Sequence, residues 1–267
     1  MFRHNSLKAR IAAGETVFGA WVGSGHPGNA EVLSHIGFDF LVIDQEHGQG
    51  DLSSTATSVL LAEAHTPCVV RVPEANALYL KQALDRGITG FMVPSVTGPE
   101  MARQMVAATR YPPDGTRGYA AAVVRGSRFG MEPGYLEKAN ANTLLMAQIE
   151  SADAVERIPE MAAIEGVDVL FIGPNDLAGS IGRLEQLDHP EVVALLERAE
   201  QLIRQSGKPM GTIPSAARSL EETLALGYTV LVGPHDVALL RDGARQALAG
   251  YRALATGKTE GGKVSGY

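Results

Sequence analysis

The chain has 267 residues, with 30 acidic and 23 basic side chains and a net charge of -7; its lysines and arginines are scattered, which argues against a nucleic-acid partner. The single cysteine, Cys68, excludes an internal disulfide and reads as a small core residue in PCVVRV, as expected in a reducing compartment. MFRHNSLKARIAAGE lacks the apolar block of a secretory signal, and no apolar run approaches the roughly 20 residues of a membrane span, so a soluble, cytoplasmic protein is expected.

Short apolar runs rich in strand-forming residues recur at TVFGAWV (16–22), FDFLVID (38–44), PCVVRV (67–72), GFMVP (90–94), LLMAQIE (144–150), VDVLFIG (167–173), KPMGTI (208–213) and YTVLVG (228–233). Between them lie stretches of helical period: LSSTATSVLLAEA, ALYLKQALDRG, GPEMARQMVAATR, DAVERIPEMAAI, EVVALLERAEQLIRQSG and AARSLEETLALG. Strands this continuously apolar suit a parallel sheet buried on both faces, and their alternation with helices indicates a (β/α)8 TIM barrel, a single α/β domain over 1–255. A doubly wound sheet is the rival, but no G-x-G-x-x-G follows the first strand. The segment 111–142 is too long for a plain connector and is either a functional loop or an interface element. The Gly- and Lys-rich stretch 256–267 reads as a flexible tail.

The active site of such a barrel lies at the carboxyl ends of its strands. Polar residues collect there: Asp44, Glu46 and His47 after the second strand, Arg71 at the third, Gln148 and Glu150 at the fifth, and Gly173-Pro174-Asn175-Asp176 after the sixth. Glu150 and Asp176 end adjacent strands, where two anions repel unless a cation lies between them. Their all-oxygen donor set favours Mg2+ or Mn2+, with Co2+ or Zn2+ as further candidates. Gln148 shares the face of Glu150. Histidine exchanges protons near neutrality, so His47 is the expected acid/base group, with Asp44 fixing its tautomer. Arg71 needs an anion, either Glu46 or the charge of a substrate. Trp21 either walls the pocket or packs the barrel. Asp85 reads as a surface charge, and the other six histidines, His4, His26, His35, His65, His189 and His235, show no ligand-like spacing.

Together GAWVG (19–23), FLVIDQEHG (40–48), VVRVP (69–73), GFMVPSV (90–96), RYPPDGTRG (110–118), QIES (148–151), GVDVLFIGPNDL (166–177) and HPEV (189–192) make the chain resemble the HpcH/HpaI family of metal-dependent 2-oxo acid aldolases. The resemblance implies Glu150 and Asp176 as metal ligands, His47 with Asp44 as the acid/base pair, and Arg71 beside the enolate oxygen. Gln148, Trp21, Gly173, Pro174 and Asn175 are expected to complete the substrate pocket. The implied reaction is reversible cleavage of a 4-hydroxy-2-oxo acid to pyruvate and an aldehyde, without a lysine Schiff base. It also implies a homo-oligomer, hexamer or trimer, exchanging the helix ALLRDGARQALAGYRA between subunits. Gln45 and Gly48-Gln49-Gly50-Asp51 depart from the family pattern beside His47, leaving the aldehyde open.

Three other readings compete. A citrate-lyase-β or malyl-CoA-lyase type would act on a CoA thioester, but no basic adenine-sized patch or added lid domain is evident. A phosphate-handling barrel would use Gly211-Thr212 and Gly233-Pro234, loops poor in glycine. A non-catalytic metal- or ligand-binding scaffold is opposed by the intact set of His, Arg and two carboxylates.

Overall fold

Along the second apolar run, Phe40, Val42 and Asp44 share one face and Leu41 and Ile43 the other, because successive side chains of a strand point to opposite sides. In the computed structural model, which describes residues 4–215 and 217–256, both faces of this strand are buried. The eight strands are β1 (Val17–Val22), β2 (Phe40–Asp44), β3 (Cys68–Arg71), β4 (Gly90–Val93), β5 (Leu144–Ile149), β6 (Val169–Ile172), β7 (Met210–Thr212) and β8 (Tyr228–His235). Each pairs in parallel with the next, and β8 closes on β1. The expected (β/α)8 barrel is therefore the fold.

Two apolar layers follow from the alternation. Val17, Phe40, Val42, Val69, Met146, Val169 and Phe171 fill the barrel interior, while Leu41, Ile43, Val70, Leu145 and Leu170 pack outward against the helices. Glycine makes room for the two largest interior rings: a Cβ on Gly19 would stand 2.7 Å from the Phe40 ring, and one on Gly211 2.5 Å from that of Phe171. Gly211 thus serves packing. Leu7 and Ile11, from a helix at Ser6–Ala12 that the periodicity did not signal, join this inner layer.

Most expected helices form, as Leu52–Ala62, Ala77–Asp85, Pro99–Thr109 and Pro190–Ser206. DAVERIPEMAAI instead splits into Ala152–Glu156 and Ile158–Ala162, since Pro159 offers no amide hydrogen to continue a ladder. AARSLEETLALG is helical only over Leu220–Ala225, where Ser219 and Glu222 form a reciprocal capping box. The last helix, Asp236–Ala255, leaves Leu239, Leu240, Leu248 and Tyr251 exposed. The expected tail lies outside the described residues apart from Thr256. Among the described residues no helix is long and apolar enough to cross a membrane.

The 111–142 segment is pinned by one buried cation. The Arg117 guanidinium lies 4.3 Å from the Tyr111 ring centroid, 2.9 Å from Asp85 Oδ1 and 3.4 Å from the Tyr135 hydroxyl. Asp85 is thus not a free surface charge but the anchor of this loop, a tertiary role invisible to helical periodicity. Removing one partner of a buried pair strands the other's charge, so Arg117→Ala should lower the unfolding free energy by about 3 kcal/mol in urea denaturation.

Candidate active site

Strand parity aims the polar residues inward. Asp44 continues the face of Phe40 and Val42, Arg71 that of Val69, and Gln148 that of Leu144 and Met146. With β2 beside β3 in register, Asp44 opposite Arg71, the two side chains meet at the floor of the barrel mouth. Arg71 Nε and Nη2 donate to the two carboxylate oxygens of Asp44 at 2.8 and 2.7 Å. The backbone amides of Glu46 and His47 donate to Asp44 Oδ1 at 3.1 and 3.3 Å. Asp44 is only 1 % exposed; burial raises its pKa, but the Arg71 and backbone hydrogen bonds outweigh burial and hold the carboxyl below its usual range.

This corrects one expectation. Asp44 does not hold the His47 imidazole; its oxygens are taken by Arg71 and by the amides of the loop that carries His47. The carboxylate nearest the imidazole is Glu46, whose Oε2 is 3.8 Å from His47 Nε2 and 3.1 Å from Arg71 Nη1. Arg71 is met by Glu46, one of the two anions weighed for it, and also by Asp44, which was not considered for that role. The guanidinium also lies 4.4 Å from the Trp21 ring centroid, so Trp21 is both packed and part of the wall.

Across the mouth, Glu150 follows β5. Its Oε2 accepts from the Ser95 amide at 2.7 Å and the Ser95 hydroxyl at 3.2 Å, and its Oε1 from Gln148 Nε2 at 2.8 Å. Ser95 adopts φ +50°, a left-handed conformation rare for a non-glycine residue. The sequence reading missed it, and neither strand nor helix periodicity marks it. Gly173, paired to the end of β5 through the neighbouring strand, is needed for close approach: a Cβ there would lie 2.8 Å from Glu150 Cγ and Oε1. Burial pushes the Glu150 carboxyl up; the Ser95 amide opposes this, while the charges of Glu46 and Asp176 add to it. Glu46 is likewise raised, first by burial, with Asp44 and Asp176 adding and Arg71 opposing. Three carboxylates from β2, β5 and β6 therefore concentrate negative charge at one place.

A cavity of about 230 Å³ opens here. It is lined by Trp21, His47, Arg71, Gln148 and Glu150, and by the turn Gly173-Pro174-Asn175-Asp176 that begins the helix Pro174–Ser180. Every expected site residue except Asp44 thus faces one space, and Asp44 lies beneath it, acting through Arg71. Phe171, Ile213 and His235 complete the wall. His47 is therefore not the only histidine at the mouth. His235 ends β8 as Asp44 ends β2, so the strand-end rule applied to the eighth strand would have found it. No residue among those described supplies a hydrogen-bond partner to the buried Gln148 Oε1. Among the described residues no group of three or more His, Cys, Asp or Glu side chains is placed to hold a metal ion by itself.

A closed parallel barrel with acids, histidines and an arginine gathered at its carboxyl mouth has the architecture of an enzyme with a polar active site. The model of the family described as HpcH/HpaI aldolase/citrate lyase matches residues 17–242. The chain is 40 % identical over 265 residues to the hydroxypyruvate/pyruvate aldolase of Deinococcus radiodurans, covering 97 % of this chain and 96 % of that one. It is 38 % identical over 253 residues to the 4-hydroxy-2-oxo-heptane-1,7-dioate aldolase of Escherichia coli, covering 94 % and 97 %. A crystal structure of an HpcH/HpaI aldolase/citrate lyase family protein from Burkholderia cenocepacia superposes with a TM-score of 0.88 at 37 % identity, over 93 % of this chain and 99 % of that one. The chain belongs to the HpcH/HpaI aldolase/citrate lyase family, and with it to the carbon–carbon lyases.

Asp236 ties the mouth together. Its carboxylate accepts from the amides of Gly23 at 3.0 Å and Ser24 at 3.3 Å and from Asn29 Nδ2 at 3.3 Å. Burial opposes ionisation, yet hydrogen bonds from His235, Ser24, Gly23 and Asn29 hold the carboxyl far below its usual range. Because the folded pKa is depressed, this stabilisation is complete above the unfolded value, about 3.9, and fades as pH falls below it. Asp236→Asn should cost about 2 kcal/mol at pH 7 and progressively less toward pH 2, read from urea denaturation at both ends.

Proposed function

We propose that the protein is a cytoplasmic class II pyruvate aldolase that reversibly cleaves a 4-hydroxy-2-oxo acid to pyruvate and an aldehyde. The observation carrying this reading is the single cavity that gathers His47, Arg71, Gln148, Glu150 and Asp176. Its donor set fits a hard divalent cation: the charges of Glu46 and Asp176 add to the cost of ionising buried Glu150, the carboxylates offer only oxygen, and among the described residues Gln148 Oε1 is a buried acceptor left over. Glu150 and Asp176 would hold Mg2+ or Mn2+, which when bound offsets negative charge developing on the 2-oxo group.

The chain's own residues account for the rest. His47, exposed at the rim, takes the proton of the substrate's 4-hydroxyl. The electron pair of the C3–C4 bond stays with the three-carbon half as the enolate, the aldehyde leaves, and a proton delivered to C3 completes pyruvate. Arg71, immobilised by Asp44 and Glu46 and stacked on Trp21, presents fixed positive charge where the enolate oxygen forms, with no reorganisation at the moment of reaction. The turn at Gly173-Pro174-Asn175 bounds the pyruvate end. The exposed apolar residues of the last helix support docking on a second copy, as subunit exchange in a homohexamer or trimer requires.

Pyruvate release, coupled to lactate dehydrogenase, should require Mg2+ or Mn2+, be abolished by EDTA and be untouched by borohydride. His47→Ala should lower kcat at least about 100-fold, the usual loss of a general base. A readout without turnover is also available, because Trp21 is the only tryptophan. Its emission should change when Mg2+ and oxalate are added together, and Glu150→Ala should remove the response; an unchanged titration in that variant would count against the cation site.

A further inference from the structure

Glu150 and Asp176 stand at β5 and β6, so in an eight-stranded closed barrel the facing wall belongs to β1 and β2, with β8 alongside. A substrate whose pyruvate half lies at the carboxylates must extend its other half toward Trp21 and His235, which sit opposite each other in register on β1 and β8. The aldehyde portion therefore meets an indole and an imidazole. The indole offers only an N–H donor, whereas an imidazole nitrogen can donate or accept according to tautomer.

His235 is held so that one ring nitrogen stays available. Its Nδ1 lies 3.1 Å from Asp236 Oδ1 and 3.2 Å from the Val237 amide nitrogen, which itself donates to Asp236 Oδ1 at 2.8 Å. Its other edge rests on Gly23, where a Cβ would come within 2.5 Å of Nε2 and 2.6 Å of Cε1. No hydrogen-bond partner meets Nε2 among the described residues, and the ring lines the cavity at 39 % side-chain exposure. A glycine at 23 is thus what permits the ring this position. We propose that His235 determines specificity by hydrogen bonding through Nε2 to a hydroxyl beside the carbonyl of the aldehyde, making short hydroxyaldehydes the favoured partners.

A hydroxyl fits for two reasons. It both donates and accepts, so it pairs with Nε2 in either tautomer of the ring. A carboxylate there would enter a mouth that already holds Glu46, Glu150, Asp176 and Asp236, and whose lining arginine, Arg71, is engaged by Asp44 and Glu46.

This inference rests on the aldolase reading, and the experiment separates the two. Wild-type holoenzyme with Mg2+ is first tested for exchange of pyruvate methyl protons into D2O by NMR, which needs no aldehyde; absence of exchange would defeat the aldolase reading and this inference with it. The kcat/KM for addition of pyruvate to glycolaldehyde is then compared with that for propanal, which carries a methyl group in place of the hydroxyl. Wild type should prefer glycolaldehyde by about tenfold or more, the factor that one net hydrogen bond contributes. His235→Leu, which keeps bulk and loses both nitrogens, should erase the preference, His235→Gln should restore part of it, and Gly23→Ala, by displacing the ring, should weaken it. A ratio in His235→Leu within about twofold of wild type would overturn the assignment. So would a wild-type preference for succinic semialdehyde, which carries a carboxylate, over glycolaldehyde.

Discussion

The mouth of this barrel depends on one buried charge pair. Arg71 and Asp44 end adjacent strands in register, and two parallel hydrogen bonds lock their orientation. Either alone would be a costly charge in an apolar strand; together they are neutral at the floor of the cavity. Asp44 then uses its remaining acceptor capacity on the amides of Glu46 and His47, which fixes the loop bearing the histidine. The same guanidinium ties down Glu46 and stacks on Trp21. Glu46, His47 and Trp21 thus inherit their geometry from one ion pair.

The opposite wall follows a different logic, that of crowded like charges. Glu150 is desolvated and close to other acids, and its position is bought with a left-handed Ser95 and the absence of a side chain at Gly173. Strain stored in a well-packed surround is tolerable where function fixes the carboxylate. Arg71 supplies the mouth with rigid positive charge on one side, and the acids leave the other side open to a cation. Such polarity suits the separation of charge in breaking a carbon–carbon bond.

Much of this was legible in the sequence because a parallel barrel repeats one rule. Eight apolar runs, buried on both faces, could be read directly, and their carboxyl ends pointed to His47, Arg71, Gln148, Glu150 and Asp176. What failed to show was mostly tertiary. Asp44 was assigned to the histidine because the two are near in sequence, whereas cross-strand register hands it to Arg71. Asp85 looked like an ordinary helix-surface acid because its partner, Arg117, lies in a loop with no periodicity. Ser95 left no trace, since no residue preference marks an unusual serine backbone. His235 was passed over for lack of ligand spacing, although its place after a strand carried the information.

The register of Trp21 with His235 lies on the seam where the first strand meets the last. Glu46, Arg71, Glu150 and Asp176 come from β2, β3, β5 and β6 and the turns that follow them, whereas the wall beside Trp21 is completed by His235 of β8. Pairing of β1 with β8 is therefore what turns an open, acid-lined trough into an enclosed pocket.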